Sequence, residues 1–106
     1  MTTLHTELLI DGQFVAGEGD TETILDPASG ATLAKVREAS VEQVHKAVSA
    51  AHRAFEGWRE TTPMERSRLL LRIADAIEAR AEEFARTESL NCGKPYARAL
   101  DRKSVV

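Results

Sequence analysis

A single cysteine in 106 residues rules out an internal disulfide. No apolar run approaches the ~20 residues that a membrane-crossing helix needs. The opening MTTLHTELL lacks the basic start and long apolar core of a secretory leader. Lysine and arginine never gather into a run and are not interleaved with aromatic residues. With a net charge of −3, this argues against nucleic acid as a partner. The absences together predict a soluble, cytoplasmic protein with no nucleic-acid and no membrane partner. Motifs are missing too. There is no GxGxxG, no HExxH, no pair of carboxylates with a supporting pattern, no internal repeat and no low-complexity segment. From the residues alone, no catalytic and no cofactor-binding residue is assigned. A chain of this length suffices for one small domain with a thin margin of stability.

What is present is dominated by a helical stretch from Thr62 to Pro95. Thr62 reads as an N-cap, with Pro63 at the first helical position and Glu65 three residues after the cap. This is a capping box with proline in its favoured slot. Leu70, Ile73, Ala74, Ile77, Ala81, Phe84 and Ala85 recur at spacings of three and four and form one apolar stripe. The stripe is long for one straight helix, so a break near Arg80–Ala81 would divide it into two. Gly93 suits a left-handed helix terminator, and Pro95 both stops that helix and can open another through Tyr96, Ala99 and Leu100.

Upstream, Glu7–Ile10 and Gln13–Ala16 are short β-prone runs around Asp11-Gly12, a strong hairpin signal. Thr23–Leu25 is a further strand candidate, closed by the turn Asp26-Pro27-Ala28-Ser29-Gly30. Thr32–Arg37 is predicted as its companion strand. Ser40 and Gln43 make a second capping box. Val41, Val44, Val48, Ala51, Phe55 and Trp58 then give the cleanest amphipathic helix in the chain. Phe55 and Trp58 are expected to anchor its end in a core, and Gly57 to loosen its last turn. Strands come first and helices after, so a complete doubly wound domain is not expected.

Three features invite chemistry. Cys92 lies near a helix C-terminus, where the dipole disfavours a thiolate, so a small buried side chain is the expectation. His45 and His52 share a helix face but stand roughly 10 Å apart, too far for one metal, and read as solvated. His5 is expected to be loose near the terminus. Gly93-Lys94 resembles the end of a phosphate loop only superficially, because its lysine follows a helix instead of opening one.

Several segments in order resemble the N-terminus of the aldehyde dehydrogenase superfamily. They are Leu9-Ile10-Asp11-Gly12, Leu25–Gly30 (LDPASG), Val44–Trp58 with its AVSAAHRAFEGW, Met64–Ser67 (MERS) and Glu88–Pro95 (ESLNCGKP). The resemblance covers residues 7–100. The ending SLNCGKP is most similar to the aminobutyraldehyde (aminoaldehyde) branch, other branches more often carrying aspartate where Asn91 stands. The implied fold is α/β, an N-terminal fragment of the aldehyde dehydrogenase fold. It comprises a β-hairpin and a strand pair followed by three to four amphipathic helices, with an incomplete cofactor-binding domain. The implied parent is an oligomeric enzyme that oxidises an aldehyde to the acid with NAD, through a cysteine and a glutamate that lie downstream. The resemblance also implies a structural monovalent cation on the backbone carbonyls of Ile24 and Leu25 and the side chain of Asn91. An amide oxygen can ligate, but it lacks the charge of the usual aspartate. Asn91 as a helix-end residue bonding local backbone is the other reading.

The resemblance places residues 1–100 in the dehydrogenase domain and leaves 101–106 (DRKSVV) outside it. A common sequencing adapter, read as codons and followed by a stop, encodes those six residues, so the tail is expected to be a library artefact. The 106 residues alone are expected to be inactive. A small non-catalytic helical interaction module is the alternative from another class. Betaine-aldehyde and semialdehyde dehydrogenases are the alternatives within the family.

Overall fold

The structure is a computed structural model that describes residues 4–101. The element order is β1 (Leu8–Ile10), β2 (Gln13–Val15), β3 (Thr21–Leu25), β4 (Thr32–Arg37), α1 (Val41–Arg59), α2 (Pro63–Ala79), α3 (Ala81–Cys92) and α4 (Tyr96–Leu100). The strands form two separate two-stranded sheets, β1 with β2 and β3 with β4. This is the expected order of hairpin, strand pair and helices. The chain divides into two compact units. The tail expected to be foreign lies outside the described residues, apart from Asp101, which is the C-cap of α4.

The first unit takes residues up to Ile24 and then Ala34–Thr61. Its hairpin pairs Leu8 with Val15, Leu9 with Phe14 and Ile10 with Gln13, leaving Asp11-Gly12 as the two-residue loop. Both loop residues have positive φ, 52° and 73°. These are the signs that a type I′ turn requires, and that match the twist of the paired strands. β1 packs against α1, and Arg53 reaches Asp11 Oδ2 at 3.2 Å.

The start of α1 is held from two directions. Ser40 Oγ accepts from the Gln43 amide, and Gln43 Oε1 accepts from the Ser40 amide, completing the predicted box. The same Oε1 also accepts from the Glu18 amide at 3.0 Å, and Gln43 Nε2 donates to Ala16 O at 2.8 Å. Gln43 is only 4% exposed, and these bonds satisfy the polar atoms of its buried side chain. The 16–19 segment thereby lies so close to the end of β4 that Gly17 has no room for a side chain. The helix runs through Gly57 and closes with three-residue turns, the Glu60 and Thr61 amides donating to the Gly57 and Trp58 carbonyls at 3.3 and 3.1 Å.

The second unit takes Leu25–Leu33 and the described chain from Thr62 onward. In its turn, Asp26 Oδ1 accepts from the Ala28 amide at 2.9 Å, and Ser29 Oγ donates to Oδ2 at 2.7 Å. The Thr62–Glu65 capping box and Pro63 open α2 as predicted. The break also falls where expected. Arg80 leaves helical geometry at φ −114°, ψ 22°, its guanidinium grips both oxygens of Glu83 at 2.8 and 2.6 Å, and it lies 5.6 Å from the Phe84 ring centroid. Gly93 ends α3 at φ 71°, with Pro27 packed 3.1 Å from where its Cβ would stand. α4 packs on α3.

Candidate functional site

Among the described residues no group of three or more His, Cys, Asp and Glu is placed to hold a metal ion. Cys92 occupies the last position of α3, and its Sγ donates to Glu88 O at 3.0 Å. It is exposed, against the expectation of burial. Burial at a helix end needs a neighbour to cover it, and spacing along one chain cannot supply that neighbour.

His45 and His52 are exposed on α1, as expected of solvated residues. His45 lines an open groove with Ile10, Asp11, Glu42, Lys46, Ser49 and Arg53, where charges of both signs alternate. The His5 ring stacks on Phe14 with centroids 6.0 Å apart. Lys94 pairs with Glu88, on the helix it follows, at 3.3 Å. A second open groove runs along α3 and α4 between Glu82, Glu83, Arg86, Ser89, Leu90 and Tyr96, again with mixed charge.

The three residues named for a cation fall at the ends of elements. Ile24 and Leu25 are the last two residues of β3, and Asn91 stands in the last turn of α3. Leu25 and Asn91 belong to the same unit, whose 26–30 turn meets the end of α3 at Gly93. That helix end carries the negative pole of the dipole, which suits a cation.

Three carboxylate and guanidinium groups are held away from their ordinary behaviour. Ser29, and then the Ala28 amide, hold the Asp26 carboxyl below the usual range by bonding its charged form. The Thr62 amide, and then its hydroxyl, do the same for Glu65. Glu83 raises Arg80 further. All three groups serve a turn, a cap or a helix junction, so none is a proton carrier.

The largest feature is apolar. Leu70, Ile73, Ile77 and Phe84 of the predicted stripe are 49–63% exposed, and of that stripe only Ala85 is buried. Phe55 and Trp58, expected in a core, are 51% and 42% exposed. Sequence periodicity found the right faces, and the structure leaves them exposed.

The aldehyde dehydrogenase family model matches residues 14–104. The chain is 46% identical over 99 residues to the mitochondrial aldehyde dehydrogenase family 2 member B4 of Arabidopsis thaliana, covering 91% of this chain and 18% of that protein. It is 43% identical over 94 residues to the phenylacetaldehyde dehydrogenase of Pseudomonas fluorescens, covering 86% and 19%. Among solved structures it resembles an NAD-dependent benzaldehyde dehydrogenase from Corynebacterium glutamicum, with a TM-score of 0.87 and 30% identity over 93% of this chain and 22% of that one. The chain thus spans about a fifth of the length of the relatives it matches. On sequence and fold together, it belongs to the aldehyde dehydrogenase family.

Proposed function

We propose that this chain forms part of an NAD-dependent dehydrogenase that oxidises an aldehyde to the carboxylic acid. Its own part there is to support the cofactor-holding portion. The likeness to dehydrogenases over nearly the whole chain carries this reading. The bare apolar faces of α1, α2 and α3 agree with it, because exposed apolar area of this extent marks a surface that something covers. In the reaction NAD accepts a hydride. The described residues include no glycine-rich strand–turn–helix to receive it, so no chemical step is assigned to them. The purified 106-residue chain is expected to form no NADH from any of a panel of aldehydes. NADH formation by that chain alone would overturn the reading. Genomic sequence continuing in frame past Leu100 into a cofactor loop and a further cysteine would favour it over a non-catalytic interaction module.

A narrower form of the proposal names 4-aminobutyraldehyde or a related aminoaldehyde as substrate, on the strength of Ser89–Pro95 (SLNCGKP). The relatives' names include benzaldehyde and phenylacetaldehyde. The deciding measurement is therefore kcat/KM of the longer enzyme for 4-aminobutyraldehyde against betaine aldehyde and benzaldehyde. The proposal extends to a homo-oligomeric, cytoplasmic enzyme. It also includes a structural monovalent cation on the Ile24 and Leu25 carbonyls and the Asn91 amide oxygen, tested by thermal shift in sodium or potassium chloride against choline chloride. We take residues 101–106 as foreign to the gene, although the family match runs to residue 104. Sequencing the locus from source DNA decides that point.

A further inference from the structure

Asp11 is the only residue other than glycine with positive φ among the described residues, and Gly12 after it also has positive φ. The Asp11 side chain is 70% exposed, and a Cβ at Gly12 would meet nothing within 4 Å. A carboxyl group thus stands beside an accessible amide that no side chain shields. The other four aspartates lack that pairing. Asp20 precedes β-branched Thr21, Asp26 precedes Pro27 with no amide hydrogen, Asp75 lies inside α2, and Asp101 precedes Arg102.

We infer that Asp11-Gly12 is a site of spontaneous backbone isomerisation, restrained by the hairpin and by Arg53. In the protonated form of Asp11, the Gly12 nitrogen attacks the side-chain carboxyl carbon. A C–N bond forms, and the carboxyl hydroxyl leaves with the amide hydrogen as water. The product is a five-membered succinimide. Water then adds to one of its two carbonyls and breaks one of the two C–N bonds. One break restores aspartate, and the other leaves the chain running through the former side chain as isoaspartate. The water lost is regained, nothing is oxidised or reduced, and the mass is unchanged.

Two contacts oppose ring closure. The Ile10–Gln13 pair fixes the backbone on both sides of the loop. Arg53, on α1, holds Asp11 Oδ2 at 3.2 Å, and that pair must break before the carboxyl can close on the Gly12 nitrogen. Isomerisation adds one backbone carbon to a two-residue loop and shortens the acid side chain. Both the Ile10–Gln13 register and the Arg53 pair are then lost, so the change does not reverse itself by refolding.

The test is to age the whole 106-residue chain at neutral pH and body temperature for weeks. Isoaspartate is labelled with isoaspartyl methyltransferase and located by peptide mass spectrometry. The expected result is label at Asp11 several-fold above that at the other four aspartates, and more in chain aged in urea. Asp11→Glu removes the label, because its longer side chain closes a ring poorly. Arg53→Gln raises the folded-state rate by about two- to fivefold, as one exposed ion pair allows. Label at Asp11 no higher than at the other aspartates overturns the site. An unchanged rate in Arg53→Gln overturns the part given to Arg53, and equal rates in folded and urea-aged chain overturn the part given to the hairpin.

Discussion

A methyl group added at Gly17 would fall on the backbone carbonyl of Arg37, with that of Glu38 as its next neighbour. Neither atom is the free end of a flexible side chain, so the 16–19 segment would have to lift. Lifting it breaks the bonds that Gln43 makes to Ala16 O and the Glu18 amide. Gly17→Ala is expected to destabilise the first unit by about 1–3 kcal/mol, the usual range for overpacking. Gly57 presents the opposite case: a Cβ there would meet nothing within 4 Å, and the backbone is already helical. Gly57→Ala is expected to stabilise by about 0.5–1 kcal/mol, because alanine has less backbone freedom to lose on folding. Native-state hydrogen exchange reads both, through the Gly19 amide bonded to Glu38 O and the amides of the last turn of α1. Equal effects of the two substitutions would mean that the approach of Gly17 to β4 does not govern the fold there.

At the scale of elements, the caps carry a pH dependence whose direction is fixed by their bonds. Glu65 and Asp26 both have a lowered pKa in the folded chain. A carboxylate so held stabilises its element fully above its unfolded value, about pH 4. That stabilisation is lost as pH falls through the lower folded value. The opening turn of α2 and the 26–30 turn are therefore expected to loosen together in acid. In an NMR titration, the Glu65 and Asp26 carboxyl carbons should show midpoints below those of unstructured peptides. Thr62→Ala should return the Glu65 midpoint to the ordinary range. It should also weaken exchange protection of the Glu65 and Arg66 amides by about 1 kcal/mol. An unmoved Glu65 midpoint would show that the box does not form in solution.

The elements that could be read from sequence are those whose determinants are local. Asp11-Gly12, Ser40 with Gln43, Thr62 with Glu65, and Gly93 each act within four residues, and each stands where it was expected. The Arg80 break was visible as an over-long stripe. The second role of Gln43 was not visible, because its partners Ala16 and Glu18 lie 27 and 25 residues away. The exposure of Phe55, Trp58 and Cys92 was misjudged for a related reason. An apolar face in a sequence says that something should cover it, and leaves open whether this chain contains the cover.

For the whole molecule, the bare faces go with an almost absent core. Only Gly17, Gln43, Ala50 and Ala85 are buried among the described residues, and no large side chain is fully enclosed. Cooperative melting comes from a core whose members lose their contacts together, and two alanines do not make one. α1 and α2, by contrast, open on capping boxes and are bonded locally, and can persist without it. The isolated 106-residue chain is therefore expected to show helical circular dichroism, to bind a hydrophobic dye such as ANS, and to lose its helix gradually on heating. A sharp calorimetric transition near 0.7 kcal/mol per residue, roughly the usual enthalpy of a globular domain, would contradict this. If that transition moved with protein concentration, copies of the chain would be covering one another's apolar faces. If it did not, the faces of α1, α2 and α3 would be folding against each other, and the proposal that they await a cofactor-holding portion would lose its physical basis.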